Sequence, residues 1–216
     1  AIITYMGVDT EHFKHYENNP IRDNNQEHAN LIHSRDYSHT KRTDLAIKTF
    51  SKVNKAIPSS KLWITSTRPD SPRRKIYVNL AKRLGLSDEI AFLDLVPYEK
   101  LPLYYDAADC YISCSYDEMM GTTSSNLPVK EALACQTPAV RAPITTEDVE
   151  DGVHGYLVDP RDILLYSKRV LQILNSSKQS KKMGKNGRKK IVQLYNWKRV
   201  SNKIIQHLEM SYDKAN

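Results

Sequence analysis

Several signatures of common protein classes are missing from this chain. Of its 216 residues only 3 are cysteine, too few for a disulfide framework and without paired metal-ligand spacing. No apolar run reaches the roughly 20 residues that a membrane-spanning helix needs. The chain also lacks a Gly-x-Gly-x-x-Gly loop after its first predicted strand, a Walker lysine loop and a Gly-x-Ser-x-Gly elbow. These absences argue against dinucleotide-dependent dehydrogenases, P-loop enzymes and serine hydrolases, and the few cysteines predict a reducing, cytoplasmic setting.

The 7 histidines do not suggest a metal site either. His12 and His15 have no acid or cysteine at ligand spacing, and His28, His33 and His39 are distributed over a loop and a strand. We therefore interpret the histidines as surface or structural residues and predict no metal.

Positive charge is in excess. The net charge is +7 and the pI is about 9.2, which favours partners that carry phosphate or other negative charge. Much of the excess lies in residues 178–190 and at Lys198 and Arg199. The simplest interpretation is a solvated helix face; peripheral contact with anionic lipid is an alternative, and we do not expect nucleic acid to be the partner.

Strands and helices alternate six times along the sequence. Predicted strands cover residues 29–34, 61–66, 89–93, 109–114 and 138–141, with a turn and strand at 152–160. Predicted helices cover residues 43–56, 71–84, 98–108, 145–151, 163–175, 178–195 and 197–210, with one more beginning near residue 125. This order predicts an α/β fold with a parallel sheet and a ligand crevice at the carboxyl ends of the strands.

Two acidic segments have simple interpretations. Residues 17–27 lack periodicity and predict an exposed loop. Asp148, Glu150 and Asp151 in the predicted helix 145–151 are most simply a solvated helix face.

The stretch from residue 111 to 140 carries the strongest functional signal. A short strand leads into a polar loop rich in hydroxyls, and Ser125 or Asn126 can cap the following helix, with Pro128 in its first turn. The free N–H groups and the positive dipole end of such a helix make a ready anion site. Glu118 and Glu131 flank it, and carboxylates accept hydrogen bonds from diols. A nucleotide sugar has both the phosphates and the hydroxyls that this arrangement would bind.

At these residues the chain resembles a known family. A Glu-x-x-Gly motif stands at Glu118 and Gly121, and residues 131–140 follow the pattern Glu-Ala-hydrophobic-Ala-x-Gly-x-Pro-hydrophobic-Val, with Gln136 in place of the glycine. This pattern resembles the donor-binding, C-terminal half of retaining GT-B glycosyltransferases of group 1, or family 4. An insertion at residues 122–126 leaves open whether Glu118 or Thr123 takes the position of the family's first glutamate, and we favour Glu118.

The resemblance extends to two other turns. An arginine near the end of the first strand and a lysine before the next helix match Arg35 and Lys41, although Arg42 replaces the glycine that usually follows the lysine. The family's turn after the third strand, whose backbone contacts the nucleotide base, falls at Leu95 and Val96, and Asp94 replaces its usual glycine.

The resemblance implies a Rossmann-like doubly wound parallel sheet of about six strands, the C-terminal half of a GT-B fold. It also implies transfer of a sugar from a UDP- or GDP-sugar to an acceptor hydroxyl with retention, without any required cofactor. The implied catalytic residues are Arg35, Lys41 and Glu118. The implied nucleotide-sugar contacts are Gly121, Thr122, Thr123, Asn126, Leu127, Glu131, Leu95 and Val96.

The resemblance also predicts how the chain is divided. Residues 1–28 would be an interdomain connector and loop, residues 29–196 the nucleotide-sugar-binding domain, and residues 197–216 a helix that packs toward an N-terminal domain absent from this chain. By itself, this half is expected to bind donor weakly and to transfer little. The competing hypothesis is a non-catalytic nucleotide-binding or partner-docking subunit of a split glycosyltransferase. The sugar, the base and the acceptor stay open.

Overall fold

The computed structural model describes residues 6–25, 27–34, 36–116, 127–143 and 148–213, with side chains as far as residue 211. Within these residues six parallel strands form one sheet in the order β3-β2-β1-β4-β5-β6. The strands are β1 (Asn30–Ser34), β2 (Lys61–Thr65), β3 (Ile90–Asp94), β4 (Cys110–Ser113), β5 (Ala139–Arg141) and β6 (Gly155–Leu157). The chain builds the sheet outward from β1 to β3, returns to the other side of β1, and continues to β6. This arrangement confirms the predicted doubly wound fold.

Helices cover both faces of this sheet. They are α1 (Pro20–Asp23), α2 (Thr43–Ala56), α3 (Pro72–Arg83), α4 (Leu101–Ala107), α5 (Leu127–Ala134), α6 (Ile163–Leu174), α7 (Ser177–Leu194) and α8 (Trp197–Asp213). On one face α2 packs against α3 and α6, and on the other α5 packs against α4 and α7. Two further turns are 3₁₀ helices, at His39–Lys41 and Tyr98–Lys100.

The two cores follow from the alternation of side chains along each strand. Leu31 and Ile112 lie in the cluster under α2 and α6, whereas their neighbours Ile32 and Tyr111 lie in the cluster under α4 and α5. Because helices cover both faces, the central strands β1 and β4 are buried along their whole length.

Local sequence signals agree closely with several element bounds. The apolar stripe of α2 includes Leu45, Phe50 and Val53, all buried, and each such side chain contributes roughly 1.5–3 kcal/mol when it leaves water. Asp162 accepts a hydrogen bond from the N–H of Leu165, as expected for the cap of α6. Cys110 and Cys114 are buried in the same cluster, where they act as small core residues.

Two predictions about acidic segments were wrong in part, although Glu150 and Asp151 are exposed as predicted. Residues 148–151 form turns and a bridge rather than the end of a helix. Asp148 is fully buried and pairs with Arg141 at the end of β5, so it is not part of a solvated face. Residues 17–27 are not simply a loop, because buried Asn19 accepts hydrogen bonds from two backbone N–H groups and starts α1. In both places a tertiary partner for a polar side chain decided the structure.

The first described residues and the last helix meet. Val8 and Asn196 form a parallel bridge, in which the N–H of Val8 donates to the carbonyl of Tyr195 at 2.7 Å. Beyond this point α8 leaves several large apolar side chains exposed, among them Ile205 and Leu208. Among the described residues, no helix is long and apolar enough to cross a membrane.

Candidate functional site

A pocket of about 330 Å³ opens at the carboxyl ends of β1, β2 and β3. It lies beside the point where the strand order reverses between β1 and β4, which is where open α/β sheets bind their ligands. Its lining residues are Ser34, Asp36, Lys41, Thr65, Ser66, Thr67, Asp94, Leu95, Val96, Leu101, Tyr105, Leu127, Pro128 and Glu131.

The turn after β1 brings a cation and a carboxylate to one side of this pocket. Lys41 is half-buried at the end of the 3₁₀ turn His39–Lys41, and Asp36 lies earlier in the same turn. Burial raises the pKa of Asp36, but hydrogen bonds from Ser38 and the charges of Lys41 and Arg68 outweigh burial and lower it overall. Asp36 is therefore ionised at neutral pH, and its charge helps to hold Lys41 in this turn.

The start of α5 forms the opposite side. Leu127 and Pro128 line the pocket, and the N–H groups of a first helical turn have no partner within the helix. Glu131, one turn further on, is 7% exposed and lines the same pocket. Its Oε2 accepts a hydrogen bond from the Tyr105 hydroxyl at 3.1 Å. The start of α5 and a carboxylate thus line the same pocket.

Three hydroxyl side chains and two apolar residues close the third side. Thr65 ends β2, Ser66 and Thr67 follow it, and Leu95 and Val96 follow β3. The pairing of β2 with β3 shifts register between Ile64 and Thr65, so that Thr65 faces Asp94. Such an irregularity bends a strand end, and here it lies at the wall of the pocket.

Asp94 is held by an ion pair beneath this wall. The Arg74 guanidinium donates two hydrogen bonds to its carboxylate, at 2.6 and 2.8 Å, and the Tyr37 hydroxyl donates a third at 3.1 Å. The hydrogen bonds from Arg74, more than that from Tyr37, keep the pKa of Asp94 below its usual value although burial opposes this. Burial, followed by the charge of Asp94, raises the pKa of Tyr37, so the phenol stays protonated as a donor.

Asp94 lies in the left-handed backbone region, which residues other than glycine rarely adopt. Within the described part of the chain, the non-glycine residues with positive φ are Arg42 at 52°, Asp94 at 53° and Gln136 at 64°. These are the three positions where this chain replaces a glycine of the pattern that it resembles. The backbone at these positions therefore has a conformation that glycine adopts freely. It costs about 1 kcal/mol for each larger residue. Arg42 and Asp94 offset part of that cost with ion pairs, to Asp44 and Arg74 respectively.

The described residues of the predicted site lie together. Lys41, Leu95, Val96, Leu127 and Glu131 all line the one pocket. The other predicted residues fall outside the described part of the chain, namely Arg35, Glu118, Gly121, Thr122, Thr123 and Asn126. Ser34 and Asp36, which flank Arg35 in the sequence, both line the pocket.

Sequence reasoning missed several lining residues. The run Thr65, Ser66 and Thr67 carries a readable signal, because polar residues at the carboxyl end of a predicted parallel strand face the crevice. Tyr105 carries no such signal, since it stands among apolar residues in a helix. It is fully buried, yet it lines the pocket.

The chain is similar to a family of known proteins. The family model of the glycosyl transferases group 1 matches residues 16–190. D-inositol 3-phosphate glycosyltransferase from Corynebacterium diphtheriae is 35% identical over 113 residues, which are 50% of this chain and 25% of that protein. The chain's match thus spans about a quarter of that curated relative.

Two solved structures share the fold. The C-terminal domain of a group 1 glycosyl transferase, LpcC from Francisella tularensis, has a TM-score of 0.75 at 22% identity, covering 88% of this chain and 100% of that one. HepE from Anabaena, in complex with UDP-glucose, has a TM-score of 0.84 at 19% identity, covering 97% of this chain and 57% of that one. At these identities the likeness concerns the fold alone.

Proposed function

This chain belongs to the glycosyl transferases group 1, and on that premise we propose that it is the nucleotide-sugar-binding half of a glycosyltransferase. The full enzyme transfers a sugar from a UDP- or GDP-sugar to an acceptor hydroxyl with retention of configuration. One observation carries this proposal: Lys41, the start of α5 and Glu131 border a single pocket at the carboxyl edge of the sheet. A cation, free N–H groups and a carboxylate at one crevice suit a nucleoside diphosphate.

The proposed chemistry is electrostatic. As the bond between the sugar and the diphosphate breaks, negative charge develops on the β-phosphate. Lys41 and the N-terminus of α5 are positioned to stabilise that charge before the reaction begins, so no reorganisation is needed as it develops. By the family pattern, Arg35 adds a second cation, and Glu118 with the backbone at Gly121 orients the sugar hydroxyls.

Residues on the other sides of the pocket would bind the nucleoside. Glu131 would accept hydrogen bonds from the ribose diol, because an ionised carboxylate is an acceptor only. Leu95 and Val96 would contact the base, with the hydroxyl run from Thr65 to Thr67 opposite. The two hydrogen bonds from Arg74 to Asp94 fix the backbone of this side of the pocket. A glycine at position 94 could not form them and would leave the turn more flexible.

We place the acceptor site on a second domain that this chain does not contain. The matched HepE chain is nearly twice as long as its matching part, which supports such a partner domain. This half would then bind donor and transfer little. Its exposed α8 side chains are available to contact that domain.

The direct test is calorimetry with UDP, GDP and UMP on the wild-type chain and on Lys41→Ala. A charge-assisted contact to phosphate contributes about 1.5–3 kcal/mol, so Lys41→Ala should weaken the preferred diphosphate about 10- to 100-fold. The loss should be smaller for UMP, which lacks the β-phosphate. Lys48→Ala is the matched control, because Lys48 lies on the exposed side of α2 and pairs with Asp44.

Two results would contradict the proposal. Equal losses for Lys41→Ala and Lys48→Ala would show that only general charge matters. No heat with either diphosphate from the wild-type chain would favour the alternative, a partner-docking subunit without a nucleotide site.

A further inference from the structure

Tyr105 on α4 has an apolar ring in the core and a hydroxyl at the functional pocket. The residue is fully buried, and its ring packs against Tyr111 and Phe13. Its own carbonyl accepts a 2.6 Å hydrogen bond from the Thr137 hydroxyl, which fixes the backbone. The ring and the backbone are therefore held from two sides, and the position of the hydroxyl is determined by the fold.

This hydroxyl joins two walls of the pocket. It lies 3.1 Å from Oε2 of Glu131 on α5 and 2.5 Å from the hydroxyl of Ser34 at the end of β1. A phenol has a single proton, so when Tyr105 donates to the carboxylate, Ser34 must donate to Tyr105. Burial, and then the charge of Glu131, raise the pKa of Tyr105 well above its ordinary value, which keeps that proton in place.

The consequence concerns the direction of the Glu131 carboxylate. A glutamate side chain has three rotatable bonds, and holding it still has an entropic cost. A buried donor that fixes one oxygen pays that cost before any ligand binds. A carboxylate can accept about four hydrogen bonds, so the contact with Tyr105 is compatible with acceptance from a ligand as well.

We propose that Tyr105 is a positioning residue for nucleotide recognition: its hydroxyl fixes the Glu131 carboxylate in the orientation that receives the ribose diol. Through Ser34 it also connects this carboxylate to the strand that leads into the Lys41 turn. This inference rests on the proposed function, because it needs a nucleotide in the pocket. Its distinctive consequence is that loss of the Tyr105 hydroxyl weakens binding of the ribose hydroxyls and has little effect on binding of the phosphates.

The test compares two ligands that differ only in those hydroxyls, UDP and 2′,3′-dideoxy-UDP, or the GDP pair where GDP binds better. Calorimetry should show that wild type prefers the ligand with the diol. Tyr105→Phe should lose most of that preference, with about tenfold weaker binding of UDP and little change for the dideoxy ligand.

Tyr111→Phe is the matched control. Tyr111 is equally buried, its hydroxyl donates to the backbone carbonyl of Ser34 at 3.2 Å, and its ring packs on Tyr105. It should keep the wild-type preference for the diol. Thermal unfolding of both variants separates a loss of stability from a loss of recognition.

The outcomes distinguish this inference from the proposed function. If wild type and Tyr105→Phe prefer the ligand with the diol to the same extent, the positioning role is wrong and the nucleotide site stands. The role is also wrong if Tyr105→Phe weakens both ligands to the same extent, because that is a structural effect. If wild type binds neither diphosphate, or binds it without regard to the diol, the assignment of Glu131 to the ribose fails and this inference fails with it.

Discussion

The two edges of the sheet each have a cavity, and the larger one is not the candidate site. The cavity at the amino edge measures about 580 Å³ and the pocket at the carboxyl edge about 330 Å³. The amino-edge cavity also has more charged side chains around it, including Arg22, Lys181 and Lys185. Size and charge alone would therefore favour the amino edge over the candidate site.

The difference lies in what the polar groups do. At the amino edge the Asp106 carboxylate, fully buried, accepts from His15, Asn19 and Arg22, each at 2.7 Å. These contacts fasten the segment before β1 onto α4. At the carboxyl edge Lys41, Glu131 and the first turn of α5 border an open pocket. The Asp106 cluster holds the chain together, whereas Lys41 and Glu131 also line a pocket at the carboxyl edge.

The largest expected effect is on stability, at the amino edge. Asp106→Asn removes the buried charge from three donors, and we expect a loss of about 2–3 kcal/mol in the free energy of unfolding. Urea denaturation measures it, with exposed Asp70→Asn as the control. Affinity for the nucleotide should not change in the folded fraction. The contrast between the edges breaks down if Asp106→Asn leaves stability unchanged or weakens nucleotide binding as Lys41→Ala does.

The next effect is on binding, at the carboxyl edge. Glu131→Gln keeps an acceptor for Tyr105 but removes the charge that would receive the ribose diol. We expect about tenfold weaker binding of the preferred diphosphate, with stability within about 1 kcal/mol of wild type. Calorimetry and urea denaturation together measure both, and Glu99→Gln on an exposed turn is the control. A large loss of stability without a loss of affinity would reverse the assignment of the two edges.

The smallest expected effect is on stability at acidic pH. Because the folded-state pKa of Asp94 is lowered, chiefly by hydrogen bonds from Arg74, its contribution to stability is present above the unfolded pKa near 4 and is lost as the pH falls below it. Asp94→Asn should therefore lose less stability than wild type between about pH 4.5 and 2. Both partners of this ion pair are about a third exposed, so the difference should stay under about 1 kcal/mol.

Asparagine is the informative replacement at this position because it tolerates the left-handed backbone. Thermal unfolding at several pH values measures the effect, again with Asp70→Asn as the control. Parallel acid profiles for Asp94→Asn and wild type would contradict the assigned role of the ion pair.

The agreement between sequence and structure is strongest where the signal is local. The stripe of Leu45, Phe50 and Val53 predicted α2 to the residue, and Asp162 marked the start of α6. The motif residues Lys41 and Glu131 were predicted as members of one site and line one pocket. All of these depend on spacing within a few turns of chain, where helical and strand periodicity are strongly constrained.

The disagreements involve partners that are not visible locally. Asp148 looked like a solvated acid because Arg141, which pairs with it, stands in a different element. Tyr105 looked like an ordinary core tyrosine because its partners are 71 residues back at Ser34 and 26 residues ahead at Glu131. The chain alone does not show which hydroxyl or carboxylate will come within 3 Å.

The amino-acid sequence by itself determined the alternation of strands and helices and the helix α5 with Glu131 one turn after its start. Only the tertiary structure decided that β1 lies between β2 and β4, and therefore that Ser34, Tyr105 and Glu131 meet at one edge. The physical reason is that backbone preference and hydrophobic periodicity act over a few residues, whereas the neighbours of a buried polar group are chosen by the packing of the whole sheet.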